Sequence, residues 1–166
     1  CVAQPFQCRP RRRVAWLAER IAGVHETPMY TESGVTGTLG CLGEDSQGTY
    51  VLSCNHVLAD CDRGLSGDWV LQPGGVDYGR SPQDRLARLE RTVPLTFNDV
   101  IGTNIVDAAI ARIVDLDHYP RTACPFILQI GEIRGTVDHS GDAGHLIGMS
   151  VRKMGRVSHL THGVVD

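Results

Sequence analysis

The residues Tyr50-Val-Leu-Ser-Cys-Asn-His56-Val-Leu-Ala59 form an apolar run that delivers a histidine and then continues into a short helical turn. The run predicts a β-strand, because it is short, apolar and bounded by turn-forming residues. A histidine at a strand end is held rigidly and still reaches solvent, as a general base near neutral pH must. A histidine alone is more often a structural hydrogen-bonding residue, so a catalytic His56 needs a partner.

Short β-rich runs separated by Gly, Asp, Pro and Ser extend on both sides of this stretch and predict an all-β sandwich or barrel. The break at residues 115–125, rich in Asp and Pro, predicts a linker between two β-subdomains. The predicted strands are residues 35–42, 50–54, 69–72, 84–93, 105–114, 127–138, 146–154 and 156–165.

The N-terminal region shows a different pattern. Apolar residues at helical spacing, followed by Gly23, predict one short amphipathic helix. They are Val14, Leu17, Ala18 and Ile21. The arginines that precede it are interpreted as a solvated surface rather than a phosphate site, because the protein is acidic overall. These are Arg9, Arg11, Arg12 and Arg13.

Length and charge limit the possible functions. A chain of 166 residues can bury one ordinary hydrophobic core without a metal or disulfide. Its net charge of −3 argues against a nucleic-acid partner, and its apolar runs are far shorter than the roughly 20 residues of a membrane span. The cysteines are scattered, which favours reduced, mostly buried thiols and leaves the compartment open. They are Cys1, Cys8, Cys41, Cys54, Cys61 and Cys124.

A second motif, Asn104-Ile-Val-Asp107-Ala-Ala-Ile-Ala111, places a carboxylate directly before a run of small aliphatic residues. The run predicts a buried strand, where an unpaired carboxylate costs several kcal/mol. Asp107 therefore needs a hydrogen-bond donor. His56 can be that donor, since the strands between them allow the chain to return to one cleft. The alternative is that Asp107 accepts only from backbone amides.

The order of these motifs resembles the chymotrypsin-like (trypsin-like) serine peptidases, whose histidine and aspartate lie on a first β-barrel and whose serine lies on a second. The chain is more similar still to a divergent branch found in bacteria and in the plant narrow-leaf protein. The resemblance covers roughly residues 34–166. Its five blocks are residues 37–40, 50–59, 71–74, 106–111 and 151–156.

The resemblance implies a chymotrypsin-like double β-barrel with the first barrel complete and the second partial. We expect residues 1–33 to form an N-terminal extension with the helix, residues 34–115 the first barrel, and residues 116–166 a linker and the opening strands of the second barrel. The resemblance also implies that His56 is the general base of peptide-bond hydrolysis, and that Asp107 fixes its tautomer and stabilises the imidazolium.

The nucleophile that the family requires is a serine in a Gly-Asp-Ser-Gly turn. The spacing from Asp107 places this serine beyond Asp166. Gly141-Asp-Ala-Gly144 imitates the turn with alanine at the serine position, and we interpret it as coincidence. Three other serines are not convincing substitutes. Ser53 lies on the same run as His56, and Ser150 and Ser158 lack the glycine-rich elbow that exposes a nucleophile.

The other candidate chemistries are less favoured. Cys54 is interpreted as a core residue or a bridge partner for Cys41 rather than a nucleophile. No tight pair of cysteines typical of a zinc knuckle occurs, and His159 and His162 are interpreted as surface residues, so we predict no metal site. No phosphate loop or dinucleotide motif is present, and no cofactor is expected.

The sequence thus predicts a serine endopeptidase that acts on a peptide or protein through an acyl-enzyme. Because a predicted strand stops at Asp166, we expect one fragment of a cleaved two-chain enzyme, partnered by the C-terminal fragment of the same protein. A truncated chain or a pseudoprotease are the alternatives. The rival function is a non-catalytic module that binds a peptide along a strand edge.

Overall fold

A computed structural model describes residues 13–17, 20–24, 35–97, 104–114, 121–127, 129–132 and 143–166, of which 13–17, 20–24, 121–126 and 143 are described by their backbone alone. These ranges are mainly β-strand, as predicted. One α-helix, α1 (Asn55–Leu58), and two 3₁₀ helices, Gly75–Asp77 and Ala143–Leu146, accompany the strands. None of these described helices has the length and apolar character needed to cross a bilayer. The strands are β1 (Arg13–Leu17), β2 (Arg20–Val24), β3 (Thr36–Thr38), β4 (Cys41–Asp45), β5 (Gly48–Ser53), β6 (Trp69–Leu71), β7 (Arg85–Thr92), β8 (Ala109–Ile113), β9 (Arg121–Ile127), β10 (Gly131–Glu132), β11 (Ser150–Gly155) and β12 (His159–Val164).

Seven strands form an antiparallel sheet in the order β3-β2-β6-β7-β8-β5-β4. Its two edge strands, β3 and β4, follow each other in the chain with only Leu39 and Gly40 between them. A link of that length spans at most about 11 Å, so the sheet must curl until its edges lie side by side. Across the gap, Ser53 Oγ donates a hydrogen bond of 2.8 Å to the Thr38 carbonyl. The described ladders do not include a β3–β4 pairing, so a closed barrel stays a prediction.

The hydrophobic core lies inside this curled sheet. Its side chains come from β5 to β8, from the β3–β4 link and from α1. Burying a leucine contributes about 1.5–3 kcal/mol, so the core leucines hold the sheet together. The core residues are Leu39, Val51, Val57, Leu58, Ala59, Val70, Leu86, Ala87, Leu89, Ala109 and Ala111.

Two smaller sheets complete the described structure. One has the order β1-β9-β10, with β1 parallel to β9. The other is the hairpin β11–β12. The turn of the hairpin is tied to the large sheet by Arg156, whose Nε and second guanidinium nitrogen lie 2.8 and 3.2 Å from the two carboxylate oxygens of Asp77. The backbone amide of Arg156 also donates to Thr38 Oγ1 at 2.9 Å.

The predicted N-terminal helix is wrong. Its described residues lie in β1 and β2, and β2 sits inside the large sheet between β3 and β6, ahead of the predicted barrel start at residue 34. The apolar spacing of so short a run does not distinguish a helix from a strand. As a strand, β2 has its backbone hydrogen bonds satisfied on both edges, whereas an isolated helix of this length has little stability in water. Ala18 and the arginines at 9, 11 and 12 lie outside the described residues.

The predicted linker at 115–125 is also wrong in part, because β9 begins at Arg121 and pairs with β1. The predicted strand 35–42 divides into β3 and β4, and part of 146–154 is a 3₁₀ helix. Strands predicted at 50–54, 69–72, 84–93 and 156–165 are confirmed within one to three residues at each end. Residues 133–138 and 141–142 lie outside the described residues. The division between two barrels stays a prediction.

Candidate active site

Strand pairing explains why His56 and Asp107 meet. β5 and β8 are antiparallel neighbours in which Ser53 is opposite Ala109. The residues that follow Ser53 and those that precede Ala109 therefore leave the same end of the sheet. α1 begins two residues after Ser53 and carries His56, while Asp107 lies two residues before β8. The two predicted site residues are thus brought together by register.

The Asp107 carboxylate holds His56 through two hydrogen bonds. Oδ2 accepts from the ring Nδ1, and Oδ1 accepts from the backbone amide of His56 at 3.2 Å. Because an ionised carboxylate can only accept, this contact places the proton of the neutral ring on Nδ1. The other ring nitrogen, Nε2, is left as a proton acceptor. Within the described part of the chain it has no hydrogen-bond partner, and the His56 side chain is 46% exposed.

The charge of Asp107 is maintained by these bonds. Partial burial would raise the pKa of its carboxyl group, but the hydrogen bonds from the ring and amide of His56, the charge of His56 and the amide of Asn55 together lower it. The pKa of Asp107 is therefore below its ordinary value, and the carboxylate stays ionised at neutral pH. An ionised Asp107 can stabilise a protonated His56.

Helix α1 packs against the hydrophobic core. Val57, Leu58 and Ala59 are buried in the core, whereas His56 faces outward. Gly37 on β3 permits this packing, because a Cβ at that position would overlap the Val57 side chain. His56 is therefore exposed to solvent, while the residues that follow it hold its backbone in the core.

Asn55 is a further site residue, which the sequence analysis did not single out. Its side chain is fully buried, and Nδ2 donates to Asp62 Oδ1 at 2.5 Å and to the Val93 carbonyl at 2.7 Å. Its Oδ1 accepts from the Asp62 amide at 3.0 Å. The Val93 amide in turn donates to the Ala108 carbonyl at 2.8 Å, beside Asp107. Asn55 therefore connects the histidine segment to the aspartate segment.

The signal that could have found Asn55 is its place between apolar residues. A buried amide must have its polar atoms paired, so an asparagine in an apolar run points to a local network. Its partner Asp62 also accepts from the Leu95 amide at 2.6 Å. Asp60, Cys61 and Asp62 all have positive φ angles, a conformation that the network helps to hold.

No serine in the described part of the chain is hydrogen-bonded to the His56 ring. Ser53 is nearly buried, and its Oγ donates to Thr38. Ser158 accepts a hydrogen bond of 2.7 Å from Lys153 Nζ within the exposed hairpin turn. Neither hydroxyl is a hydrogen-bond partner of the His56 ring.

Three cysteines with described side chains are unbridged. Cys41, Cys54 and Cys61 are free and partly buried, so a Cys41–Cys54 bridge is not formed. Burial raises the pKa of the Cys41 thiol. Burial, and to a smaller extent the negative charge of Asp107, raises the pKa of the Cys54 thiol, so the thiol stays protonated at neutral pH. A protonated thiol is a poor nucleophile, in agreement with the interpretation of Cys54 as structural.

One groove of about 400 Å³ lies on the β11–β12 hairpin. All six residues that line it belong to that hairpin, so it is not part of the site at His56 and Asp107. They are Ser150, Val151, Arg152, His162, Gly163 and Val164.

Comparison with known proteins gives no match, either among protein-family models or among curated proteins.

Proposed function

We propose that this chain supplies the general base and the orienting carboxylate of a serine endopeptidase. The observation that carries the proposal is the His56–Asp107 pair, with the carboxylate on Nδ1 and on the backbone amide, and Nε2 directed away from it. This is the geometry that a base of the Ser-His-Asp type needs. The resemblance of the sequence motifs to chymotrypsin-like peptidases supports the same function.

In the proposed reaction, a serine Oγ attacks the scissile carbonyl carbon of a peptide while its proton passes to His56 Nε2. Asp107 stabilises the imidazolium that forms. His56 then donates the proton to the leaving amine, which leaves an acyl-enzyme. In the second half of the cycle a water molecule attacks the ester carbonyl carbon while its proton passes to Nε2. The ester bond then breaks, His56 returns the proton to the serine Oγ, and the acid is released. No cofactor takes part in these steps.

The serine is proposed to come from a segment outside these 166 residues. Support for this comes from the resemblance, in which the spacing from Asp107 places the serine beyond Asp166. Among the described residues, no serine is hydrogen-bonded to His56 Nε2. The proposed partner is the C-terminal fragment of the same protein, which would also supply the oxyanion hole and the specificity pocket. A peptide or protein is the proposed substrate.

The test is hydrolysis of a fluorogenic peptide mixture by the native protein and its His56→Ala variant. We expect His56→Ala to lower kcat/KM by about 10⁴-fold or more, because removal of a triad histidine removes the base and the acid together. His162→Ala, which changes an exposed histidine of the hairpin, is the matched control and should stay within about twofold of the native rate.

The two outcomes separate the candidate functions. Unchanged hydrolysis in a folded His56→Ala variant would contradict the proposal. A native protein that binds peptides without hydrolysing them would instead favour the non-catalytic binding module.

A further inference from the structure

Three metal-binding side-chain types meet at the candidate active site. The sulfur of Cys54, a ring nitrogen of His56 and a carboxylate oxygen of Asp107 all lie within 4.8 Å of one another. Sequence spacing did not indicate this, because Asp107 comes from a different strand end. Thiolate, imidazole and carboxylate are the ligands that Zn²⁺ takes in proteins.

The separations can be adjusted to a small cation by side-chain movement. Zinc bonds of about 2.0–2.3 Å place tetrahedral ligand atoms about 3.5 Å apart, so the widest pair needs to close by at most about 1.3 Å. The hydrogen-bonded His56 Nδ1 and Asp107 Oδ2 must move apart to admit the cation. His56 and Asp107 side chains are 46% and 35% exposed, which gives them room to move. Cys54 lies in extended backbone between β5 and α1, with φ −70° and ψ 149°.

We propose that Cys54, His56 and Asp107 form a binding site for a thiophilic divalent cation of the zinc type. Cys54 would bind through Sγ after losing its proton to solvent. His56 would bind through the ring nitrogen that faces Asp107, Nδ1, with its remaining proton moved to Nε2. One water would complete a four-coordinate site, open to solvent on the exposed side of His56.

Charge and ligand type favour zinc over the common hard cations. A thiolate and a carboxylate together carry two negative charges, which a divalent cation neutralises. Ca²⁺ and Mg²⁺ prefer sites made of oxygen ligands, and this site offers sulfur and nitrogen as well. Asp107 is also held from behind by the His56 amide, the kind of outer contact that orients a metal-binding carboxylate.

The site implies a regulatory effect that rests on the proposed function. With the cation on Nδ1 and the proton on Nε2, His56 can no longer accept a proton from a serine. Hydrolysis by the intact enzyme would therefore be inhibited reversibly by zinc. Cation binding itself does not depend on any hydrolytic activity.

The test titrates the reduced, metal-free full chain with Co²⁺ and records its absorption. We expect a sulfur-to-cobalt charge-transfer band that Zn²⁺ abolishes by displacement. Cys54→Ser should remove this band and weaken zinc affinity about tenfold or more, as loss of a ligand costs at least as much as loss of an outer contact. Cys61→Ser, the control, changes another partly buried free cysteine and should leave both the absorption band and the zinc affinity unchanged.

Three results would overturn the proposal: a folded native chain without the band, a band that persists in Cys54→Ser, or a band lost in Cys61→Ser. Far-UV circular dichroism verifies folding, and Cys54→Ala provides a second variant if Cys54→Ser does not fold. The band in a protein that hydrolyses nothing supports the cation site and contradicts the peptidase. A chain that lacks the band but hydrolyses peptides without inhibition by zinc supports the peptidase and contradicts the cation site.

Discussion

The large sheet and the β11–β12 hairpin are both built from antiparallel strands, but they are stabilised in different ways. In the sheet, Val51, Val70 and Ala111 are completely buried. In the hairpin, Val151 and Val164 are 42% and 61% exposed. Strand pairing alone gives little independent stability, so the sheet depends on its core and the hairpin on its attachment.

This difference matters for the candidate site. His56 and Asp107 lie at the end of the sheet, where opening requires disruption of the core. The described attachment of the hairpin includes the ion pair between Arg156 and Asp77, whose side chains are 23% and 11% exposed. We expect the site to be as stable as the whole domain and the hairpin to open locally at lower cost.

The largest effect should come from the core under α1. Leu58→Ala removes a fully buried side chain and is expected to lower the free energy of unfolding by about 2–5 kcal/mol. The matched control is Leu65→Ala, where the side chain is 68% exposed and the change should stay within about 0.5 kcal/mol. Denaturant unfolding measures both. Equal effects at the two positions would contradict a core centred on the sheet.

The next effect should come from the buried network beside His56. Asn55→Ala leaves the Asp62 carboxylate and the Val93 carbonyl without their shared donor, and should cost about 3 kcal/mol. Asn104→Ala is the control, because the Asn104 side chain also makes two hydrogen bonds, both with the backbone of Thr96, but is exposed to solvent. Its cost should be below about 1 kcal/mol. A negligible effect of Asn55→Ala would show that the network does not hold the site.

A smaller and local effect should follow from Arg156→Ala. Loss of the bidentate contact with Asp77 is expected to raise amide exchange in β11 and β12 while leaving exchange in β5 and β8 unchanged. Arg152→Ala, at an exposed position on β11, should change neither. Hydrogen exchange that rises equally in the sheet and the hairpin would remove the distinction between the two regions.

The smallest effect concerns acid pH. Because the folded state lowers the pKa of Asp107, its ionised form stabilises folding above the ordinary carboxyl range, and this contribution is lost as pH falls through the lowered pKa. Unfolding curves of the native protein and Asp107→Asn should therefore differ at neutral pH and converge below about pH 4. The difference should be well below that of Asn55→Ala, since partly exposed ion pairs contribute little. Parallel curves at all pH values would contradict this account.

The sequence predicted the part of the fold where local pattern and tertiary environment agree. Tyr50 and Val51 are buried in β5, as an apolar strand predicts, although Leu52 faces outward and the polar Ser53 is nearly buried. The meeting of His56 and Asp107 was also predicted. It could be inferred because each motif marks the end or the start of a strand, and strand ends are where sheet pairing brings distant residues together.

The remaining features depend on contacts that no local pattern encodes. β2 is a strand because β3 and β6 pair with it, although its spacing also suits a helix. β9 pairs with β1, more than 100 positions earlier in the chain, within a segment whose proline and aspartates suggested a linker. The proximity of Cys54 to His56 and Asp107 likewise depends on the register between β5 and β8.

The most direct test of the peptidase proposal is fluorophosphonate labelling of the native preparation, followed by intact mass measurement of every polypeptide present. The probe reacts with a serine activated by a neighbouring base. We expect a label on a polypeptide or segment outside these 166 residues, beside an unlabelled 18.0 kDa chain or region, and no label in His56→Ala. A native preparation that takes no label, or that is labelled on a serine of this chain, would contradict it.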